Sequence, residues 1–177
     1  DYSQIYADGY RYQLNEDLFS RQLCGTDRPG HFTGVLTVVM KLLNLVRPNR
    51  AYFGLKDFQQ FTLIKDMCHT FFMPVEIVGC EIVRETDGLA MSSRNQLLTD
   101  KGRQLAGSFN RLLADAASDE HARQTLEAAG MQVAYVETVG KRRCGAVVVG
   151  EGDKAVRLID NVPVDAAEDS LPLRDIA

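Results

Sequence analysis

The fold is decided by the stretch A-Y-F-G-L-K-D-F-Q-Q, residues 51–60. Residues 51–53 form a short apolar run, which predicts a buried strand, and Gly54 then marks a turn. From Asp57 to Phe72 the apolar residues recur at helical spacing. The stretch therefore predicts a strand, a tight turn and a helix in immediate succession.

The sequence on both sides of this stretch extends the pattern. Residues 33–47 place apolar side chains around much of a predicted helix, which we expect to be well buried and to stop at Pro48. Residues 75–78 and 82–83 predict a further strand region, and residues 10–14 alternate like a strand. The order helix, strand, helix, strand predicts parallel βαβ winding.

The pattern changes near Asn95. Thr99 resembles a helix N-cap for a helix to about Ala117, and a second helix is predicted over residues 120–129. Three strand-like runs follow, at residues 131–139, 146–149 and 155–159. They predict a small antiparallel sheet packed on two helices. We therefore expect two domains, residues 1–92 and 93–177.

Composition excludes several classes of protein. The 177 residues are 45% hydrophobic and 25% charged, which argues against a disordered or fibrous chain. A net charge of −4 gives no basic field for nucleic acid or membrane surfaces. The longest apolar run, residues 35–46, is too short to span a bilayer, and the first 30 residues show no signal peptide. We expect a soluble cytoplasmic protein that binds neither nucleic acid nor membrane.

The cysteines and histidines predict no metal centre. Cys24, Cys68, Cys80 and Cys144 show neither a C-x-x-C pair nor zinc-finger spacing. This scatter indicates reduced thiols rather than a disulfide framework. Histidine, cysteine and carboxylate side chains nowhere converge at metal-ligand spacing, so no protein metal site is predicted.

The first candidate site is G-L-K-D-F-Q-Q, residues 54–60, where the predicted strand gives way to the helix. Ligands of parallel α/β sheets bind at that edge, and helix N-terminal amides favour anions. A cation such as Lys56 at the positive end of a helix dipole costs up to about 1 kcal/mol, and a phosphate there would reverse the sign. Gln60 lies one turn along the same face. The alternative is a glycine turn, an Asp57 cap and a solvated lysine.

The second candidate is R-E-T-D-G-L-A-M-S-S-R-N, residues 84–95, in the predicted joint between the domains. The hydroxyls of Ser92 and Ser93 and the forked guanidinium of an arginine suit the oxygens of a triphosphate. A mobile joint also suits closure over such a ligand. The alternative is an Asp-Gly turn followed by a serine-rich linker with a surface arginine.

The third candidate is R-P-G-H-F, residues 28–32, at the start of the apolar helix. Arg28 and His31 would face a carboxylate or phosphate, with Val35, Val38 and Val39 as an apolar wall. The alternative is a Pro-Gly turn whose histidine only caps the helix.

In combination, these motifs closely resemble the pantoate–β-alanine ligase family. The resemblance rests on residues 28–32, 41–48, 53–60 and 87–95, which keep the family's order and spacing. It implies an α/β fold: the C-terminal half of a Rossmann-like nucleotidyltransferase domain with parallel strands, then a small α+β domain with an antiparallel three-stranded sheet. It also implies a two-step reaction, in which pantoate and ATP give pantoyl adenylate and pyrophosphate, and β-alanine then displaces AMP.

The resemblance implies roles for individual residues. The residues that would bind ATP are Gly54, Leu55, Lys56, Asp57, Val83, Met91, Ser92, Ser93 and Arg94. Those that would bind pantoate are Gln60, Arg28, His31, Val35, Val38, Val39 and Leu42. The residues expected to act in catalysis are Lys56, Ser92, Ser93 and Arg94. Residues 91–94 would correspond to a mobile KMSKS-type loop, and the resemblance further implies Mg²⁺ and a homodimer of the full-length protein.

Two departures from the family pattern matter. Leu55 stands where the family usually carries a polar residue, and the 177 residues contain no T-M-G-x-L-H-x-G-H run. The resemblance implies that the histidines of that run stabilise the phosphates in this family. We therefore expect the 177 residues to hold about half an active site and to be inactive as a ligase alone. The rival hypothesis is a non-catalytic nucleotide-binding or assembly module that reuses the same half-fold.

Overall fold

The chain folds into two compact units. The computed structural model describes residues 2–7 and 9–164, and the units are Asp1–Cys80 and Glu81–Ala177. Residues 81–92 pack within the second unit, where Arg84 and Ala90 form an antiparallel bridge and Leu89 joins the hydrophobic core. The assignment of residues 1–92 to one functional domain stays a prediction.

The first unit contains a parallel β-α-β arrangement. Its elements are α1 (Tyr2–Ile5), α2 (Cys24–Asp27), α3 (His31–Val46), β1 (Arg50–Gly54), α4 (Phe58–Thr70) and β2 (Glu76–Cys80), with 3₁₀ turns at Phe19–Arg21 and Leu55–Asp57. Strands β1 and β2 pair in parallel, from Arg50 opposite Glu76 to Gly54 opposite Cys80. The predicted order of helix, strand, helix and strand is confirmed.

Helix α3 is less buried than its sequence predicts. Phe32, Leu36 and Leu43 are buried, whereas Leu45 and Val46 in the last turn are exposed. The helix ends where Arg47 adopts a left-handed conformation and donates its N–H to the carbonyl of Leu43, one residue before Pro48. Among the described residues, α3 therefore buries only part of its apolar surface.

The strand predictions at two places are wrong. Residues 10–14 form no strand, because Tyr10 has φ 62° and the N–H of Leu14 donates to the side chain of Thr37 at 2.9 Å. Val83 lies outside β2, and its carbonyl accepts from the N–H of Met91 at 2.9 Å. Strand β1 is also less buried than predicted, since Tyr52 is largely exposed.

The second unit is an antiparallel sheet with helices. Its helices are α5 (Asp100–Ala106), α6 (Phe109–Ala114) and α7 (Asp119–Ala128), and its strands are β3 (Gln132–Val139), β4 (Arg142–Val149) and β5 (Val156–Pro163), with 3₁₀ turns at Ser93–Leu97 and Gly152–Lys154. The antiparallel order is β3-β4-β5. The predicted three-stranded sheet is confirmed.

The helix boundaries of the second unit have local causes. The side chain of Thr99 accepts from the N–H of Gly102 at the start of α5, as predicted, and that of Ser118 accepts from the N–H of His121 in α7. The single helix predicted to run to about Ala117 is two helices. Ser108 interrupts it, because its hydroxyl donates to the carbonyl of Leu105 at 2.7 Å and so competes with the helical pattern.

The largest core lies in the second unit. It joins α5, α6 and α7 to the sheet through Leu89, Ala106, Phe109, Leu113, Ala116, Ala122, Leu126, Met131, Val136, Val147, Val149, Val156, Leu158 and Val162. Gly145 of β4 lets α6 approach closely, since a Cβ there would lie 3.1 Å from Leu113 Cδ1. None of the described helices has the length and apolarity to cross a bilayer.

The four cysteines carry free thiols, of which Cys24, Cys68 and Cys144 are buried and Cys80 is exposed. Burial raises the pKa of the Cys68 thiol. A buried thiol with a raised pKa is a poor nucleophile, so Cys68 packs as a small apolar side chain.

Candidate functional site

Lys56 lies where the sequence predicts it, at the carboxyl end of a parallel strand. Gly54 ends β1, Leu55–Asp57 forms one 3₁₀ turn, and α4 starts at Phe58. The lysine side chain is only 20% exposed, and its Nζ lies 3.9 Å from Oδ2 of the half-exposed Asp57. Asp57 makes no side-chain cap on α4, so the predicted alternative of an Asp57 cap with a solvated lysine is wrong.

Gly54 and Leu55 play different parts in this turn. A Cβ at Gly54 would have nothing within 4 Å, so the strand end is open there. The side chain of Leu55 faces Gly79 of β2, where a Cβ would lie 2.8 Å from Leu55 Cδ2. The apolar residue at position 55 therefore packs against the neighbouring strand.

The two adjacent glutamines of α4 have separate environments. Gln59 is buried: its Oε1 accepts from the N–H of Cys24 at 3.1 Å, and its Nε2 donates to the carbonyls of Phe19 and Gln22 at 2.7 and 2.8 Å. These bonds tie α4 to residues 19–24. Gln60 is half-buried and takes part in none of those bonds, and its predicted role in binding a ligand stays a prediction.

The predicted apolar wall lies along one face of α3. Val35, Val38, Val39 and Leu42 follow the i, i+3, i+4, i+7 spacing that places side chains on a common helix face. The three valines are half-buried and Leu42 is partly exposed. Helix α3 packs against α4, which carries Gln60.

Arg28 and His31 contact each other at the start of α3. Arg28 Nη1 lies 3.1 Å from His31 Nε2. A guanidinium only donates, so a hydrogen bond at this distance uses the tautomer of His31 in which Nε2 accepts. No side-chain cap forms at the N-terminus of α3, which argues against the alternative in which the histidine caps the helix.

The remaining predicted residues form a second group, in the second unit. The N–H of Met91 donates to Val83, and the hydroxyl of Ser92 accepts from the N–H of Arg94 at 3.2 Å, starting the 3₁₀ turn Ser93–Leu97. The guanidinium of Arg94 donates to the carbonyl of Arg157 on β5 at 3.4 Å. We call residues 91–94 the serine segment.

An open cavity of ≈ 580 Å³ lies beside the serine segment and is lined by Glu85, Met91, Ser92, Ser93, Asn95, Gln96 and Arg103. Glu85 and Asn95 belong to the predicted motif of residues 84–95, in which no role was assigned to them, whereas Gln96 and Arg103 lie outside it. Asn95 donates its amide to the carbonyl of Ala90 at 3.1 Å, while its buried Oδ1 has no partner among the described residues. Gln96 adjoins the motif in sequence, whereas nothing in the sequence places Arg103 there.

Arg103, which lines this cavity, forms an ion pair with Asp87. Both terminal nitrogens of Arg103 bond the carboxylate of Asp87, with Nη2–Oδ1 at 3.1 Å. The bond from Arg103 lowers the pKa of Asp87, and the bond to Asp87 raises the pKa of Arg103. Gly88 has φ +89°, so the Asp-Gly turn that the sequence offered as an alternative is present together with the polar cavity.

The described residues contain no group of three or more His, Cys, Asp or Glu side chains that could hold a metal ion. Mg²⁺ in nucleotide sites is commonly held by the phosphates with only one or two carboxylates.

This architecture is that of α/β proteins that bind phosphorylated ligands at the carboxyl ends of parallel strands. The family model described as pantoate-beta-alanine ligase matches residues 1–163. The chain therefore belongs to the pantoate–β-alanine ligase family.

Curated relatives and solved structures agree with this assignment. The chain is 49% identical over 159 residues to a pantothenate synthetase of Legionella pneumophila (strain Lens), covering 90% of this chain and 62% of the relative. It is 50% identical over 163 residues to that of Bdellovibrio bacteriovorus, covering 92% and 63%. The chain thus spans about three fifths of these relatives' length.

A crystal structure of pantoate-beta-alanine ligase from Francisella tularensis, complexed with beta-gamma ATP and beta-alanine, superposes with a TM-score of 0.81. It shares 35% sequence identity, and the match covers 91% of this chain and 61% of that one. The predicted α/β fold, with a parallel sheet and a separate antiparallel sheet, is confirmed.

Proposed function

We propose that this chain forms the carboxyl-terminal part of an ATP-dependent ligase that joins pantoate to β-alanine through pantoyl adenylate. The observation that carries the proposal is the position of Lys56, whose side chain is 20% exposed, at the strand end and just before α4, in a chain of this family. Such a position suits a phosphate, since both the ammonium and the helix N-terminus favour an anion.

In the first step, a carboxylate oxygen of pantoate attacks the α-phosphorus of ATP, and the bond to the β-phosphate breaks to release pyrophosphate. Lys56 would neutralise charge that grows on the phosphates, with Asp57 nearer the ribose and the backbone of Gly54 and Leu55 against the nucleotide. The open surface at Gly54 supports this placement, because it lets a ligand approach the backbone closely.

The second group would bind the other parts of ATP. Ser92, Ser93 and Arg94 would hold the β- and γ-phosphates, since hydroxyls and a guanidinium donate to phosphate oxygens. The exposed side chains of Val83 and Met91 would contact the adenine side of the nucleotide. The cavity beside the serine segment has room for polar groups of a nucleotide.

Pantoate would lie against the common face of Val35, Val38, Val39 and Leu42, which matches the two methyl groups of its quaternary carbon. The amide of Gln60 would bond its polar end. Arg28 and His31 would lie at the entrance, where the guanidinium of Arg28 supplies positive charge.

In the second step, the amine of β-alanine attacks the acyl carbon of pantoyl adenylate, AMP leaves, and the amide of pantothenate forms with loss of a proton from nitrogen. What the chain supplies is mainly position and charge neutralisation. Mg²⁺ would accompany the triphosphate and add positive charge there. We extend the proposal to a cytoplasmic enzyme that is a homodimer at full length.

The 177 residues alone are proposed to be inactive, because they contain no T-M-G-x-L-H-x-G-H run. The test uses a fusion of two segments. One is the part of the Legionella pneumophila relative that has no counterpart in this chain, and the other is this chain, and the two are joined in the order of the relative. We call the product the hybrid polypeptide. We expect the hybrid polypeptide to form pantothenate and AMP only when ATP, pantoate and β-alanine are all present, as mass spectrometry would show.

Two outcomes would overturn parts of this proposal. Pantothenate formed by the 177-residue chain alone would remove the requirement for the histidine run. A folded hybrid polypeptide without product, in an assay where the intact relative is active, would favour the non-catalytic module instead.

A further inference from the structure

Arg84 and Asp160 form a buried two-point contact that the proposed reaction does not use directly. Arg84 donates from Nη1 to Asp160 Oδ2 at 2.6 Å and from Nη2 to Asp160 Oδ1 at 3.0 Å. The Asp160 side chain is 1% exposed and that of Arg84 is 25% exposed. Two parallel bonds to a planar guanidinium fix orientation as well as distance.

The Asp160 end of this contact is rigid. Asp160 lies on β5, and its carboxylate also accepts from Asn110 Nδ2 at 3.2 Å and from the N–H of Asn161 at 2.8 Å. Asn110 belongs to α6, which packs against β5. The carboxylate is therefore held by a helix and a strand of the same core.

The Arg84 end holds a short loop. Arg84 pairs with Ala90 in an antiparallel bridge, and its Nη1 donates to the carbonyl of Gly88 at 3.0 Å. Leu89 is buried in the core. The residue after Ala90 is Met91, the first of the serine segment, so the loop that Arg84 holds leads directly into that segment.

We propose that Arg84 and Asp160 position the serine segment relative to β5, so that Ser92, Ser93 and Arg94 meet the nucleotide phosphates in one geometry. What the segment binds rests on the proposed function. Arg84 acts through the loop and is a positioning residue, since its guanidinium is engaged by Asp160 and Gly88. Displacement of phosphate ligands by about 1 Å can lower a rate about 100-fold, so such an anchor has a kinetic effect.

Loss of the contact between Arg84 and Asp160 should loosen the serine segment without unfolding the second unit, because other contacts also hold the loop. Asp87 of the same loop is held separately by Arg103 of α5. Leu89 is buried in the core, and its N–H donates to Asp87 Oδ1 at 3.3 Å, so the loop keeps these contacts when the bond between Arg84 and Asp160 is weakened. The test variant is Arg84→Lys, because it keeps the positive charge beside Asp160 but loses the two parallel hydrogen bonds of the guanidinium.

The matched control is Arg143→Lys. Arg143 is also a buried arginine of the second unit, with Nε 2.7 Å from Asp119 Oδ1 and Nη1 bonded to the carbonyls of Leu113 and Ala116. None of these contacts involves the serine segment. The control therefore removes the hydrogen bonds of a buried guanidinium but leaves the contact between Arg84 and Asp160 in place.

The first measurement is amide hydrogen exchange in the 177-residue chain. The N–H groups of Met91, Arg94 and Asn95 donate to Val83, the Ser92 hydroxyl and the Ser92 carbonyl respectively. We expect Arg84→Lys to lower protection at these amides about tenfold or more, and Arg143→Lys to change it less than about twofold at the same folded fraction. Equal changes in both variants would overturn the proposal.

The second measurement is steady-state kinetics of the hybrid polypeptide. We expect Arg84→Lys to lower kcat about tenfold or more with KM for pantoate unchanged, and Arg143→Lys to leave kcat within about twofold. Equal kcat in the two variants would contradict a positioning role. If the unsubstituted hybrid polypeptide forms no pantothenate, the proposed function fails, and the exchange result alone decides whether Arg84 anchors the segment.

Discussion

The two units bury their apolar residues differently. In the second unit, three helices and a three-stranded sheet enclose a continuous core, with Phe109, Leu113 and Leu126 fully buried. In the first unit, large apolar side chains such as Tyr52, Val46 and Phe72 remain exposed. The comparison shows that the second unit derives its stability from internal packing. The first unit, which carries Lys56, Gln60 and the valine face of α3, leaves more of its large apolar side chains exposed.

The two units also differ in how some of their helices begin. Thr99 and Ser118 cap α5 and α7 of the second unit with their side chains. In the first unit, α3 and α4 begin without a side-chain cap. The N-terminus of α4 lies next to Lys56, and it shares the lack of a side-chain cap with α3 and with α6 of the second unit. Its N–H groups are therefore not occupied by a capping side chain where a phosphate is proposed to bind.

The largest expected effect compares one substitution in both units. Phe109 is 0% exposed and Phe72 is 93% exposed. We expect Phe109→Ala to lower the free energy of unfolding by about 3–5 kcal/mol, because it leaves a cavity in the core. Phe72→Ala should change it by less than about 0.5 kcal/mol. Urea unfolding of the 177-residue chain measures both, and similar losses would break the comparison.

A smaller effect concerns acid stability. Burial raises the pKa of Asp119, but hydrogen bonds from Thr138 and Arg143 outweigh it and leave this pKa below its ordinary value. The stability that Asp119 contributes is therefore present above its unfolded-state pKa, about 3.9, and is lost as the pH falls through the lower folded-state pKa. At pH 7, Asp119→Asn should cost about 2 kcal/mol, since the bonds are to a charged group.

The exposed ion pair of the first unit is the control for this prediction. Arg50 Nε lies 2.6 Å from Glu76 Oε2 across β1 and β2, at the surface. Glu76→Gln should cost clearly less than Asp119→Asn at pH 7, because surface pairs are solvated and screened. Urea titrations at pH 7 and at acid pH check both variants. A cost of Asp119→Asn that does not shrink in acid would be inconsistent with the assigned cause.

The smallest effect concerns helix caps. Ser118→Ala should lower the free energy of unfolding by about 1 kcal/mol, because its hydroxyl accepts from the N–H of His121. Asp57→Ala removes no such cap and should cost less stability, although it should weaken nucleotide binding. Thermal unfolding and nucleotide titration separate the two effects. A larger loss of stability for Asp57→Ala than for Ser118→Ala would reverse the comparison of helix ends.

The sequence predicted those features that depend on neighbouring residues. The apolar run before Gly54 and the helical spacing after it were sufficient for the β-α-β order, and Thr99 was sufficient for the start of α5. Contacts between distant residues were not predictable in this way. Residues 10–14 alternate like a strand, yet the bond that holds Leu14 comes from the side chain of Thr37. Arg103 reaches the cavity only because it pairs with Asp87, and Arg84 meets Asp160 across most of the second unit's sequence.

The proposed ligation depends on Lys56 acting on the phosphates of ATP. The most direct measurement is kcat/KM for ATP of the hybrid polypeptide with Lys56→Ala, beside Lys65→Ala as a control from the same helix region. We expect Lys56→Ala to lower kcat/KM about 100-fold or more, because a preorganised cation is lost where charge develops, and Lys65→Ala to stay within about twofold. A Lys56→Ala variant that keeps the kcat/KM of the unsubstituted hybrid polypeptide would contradict the proposed site.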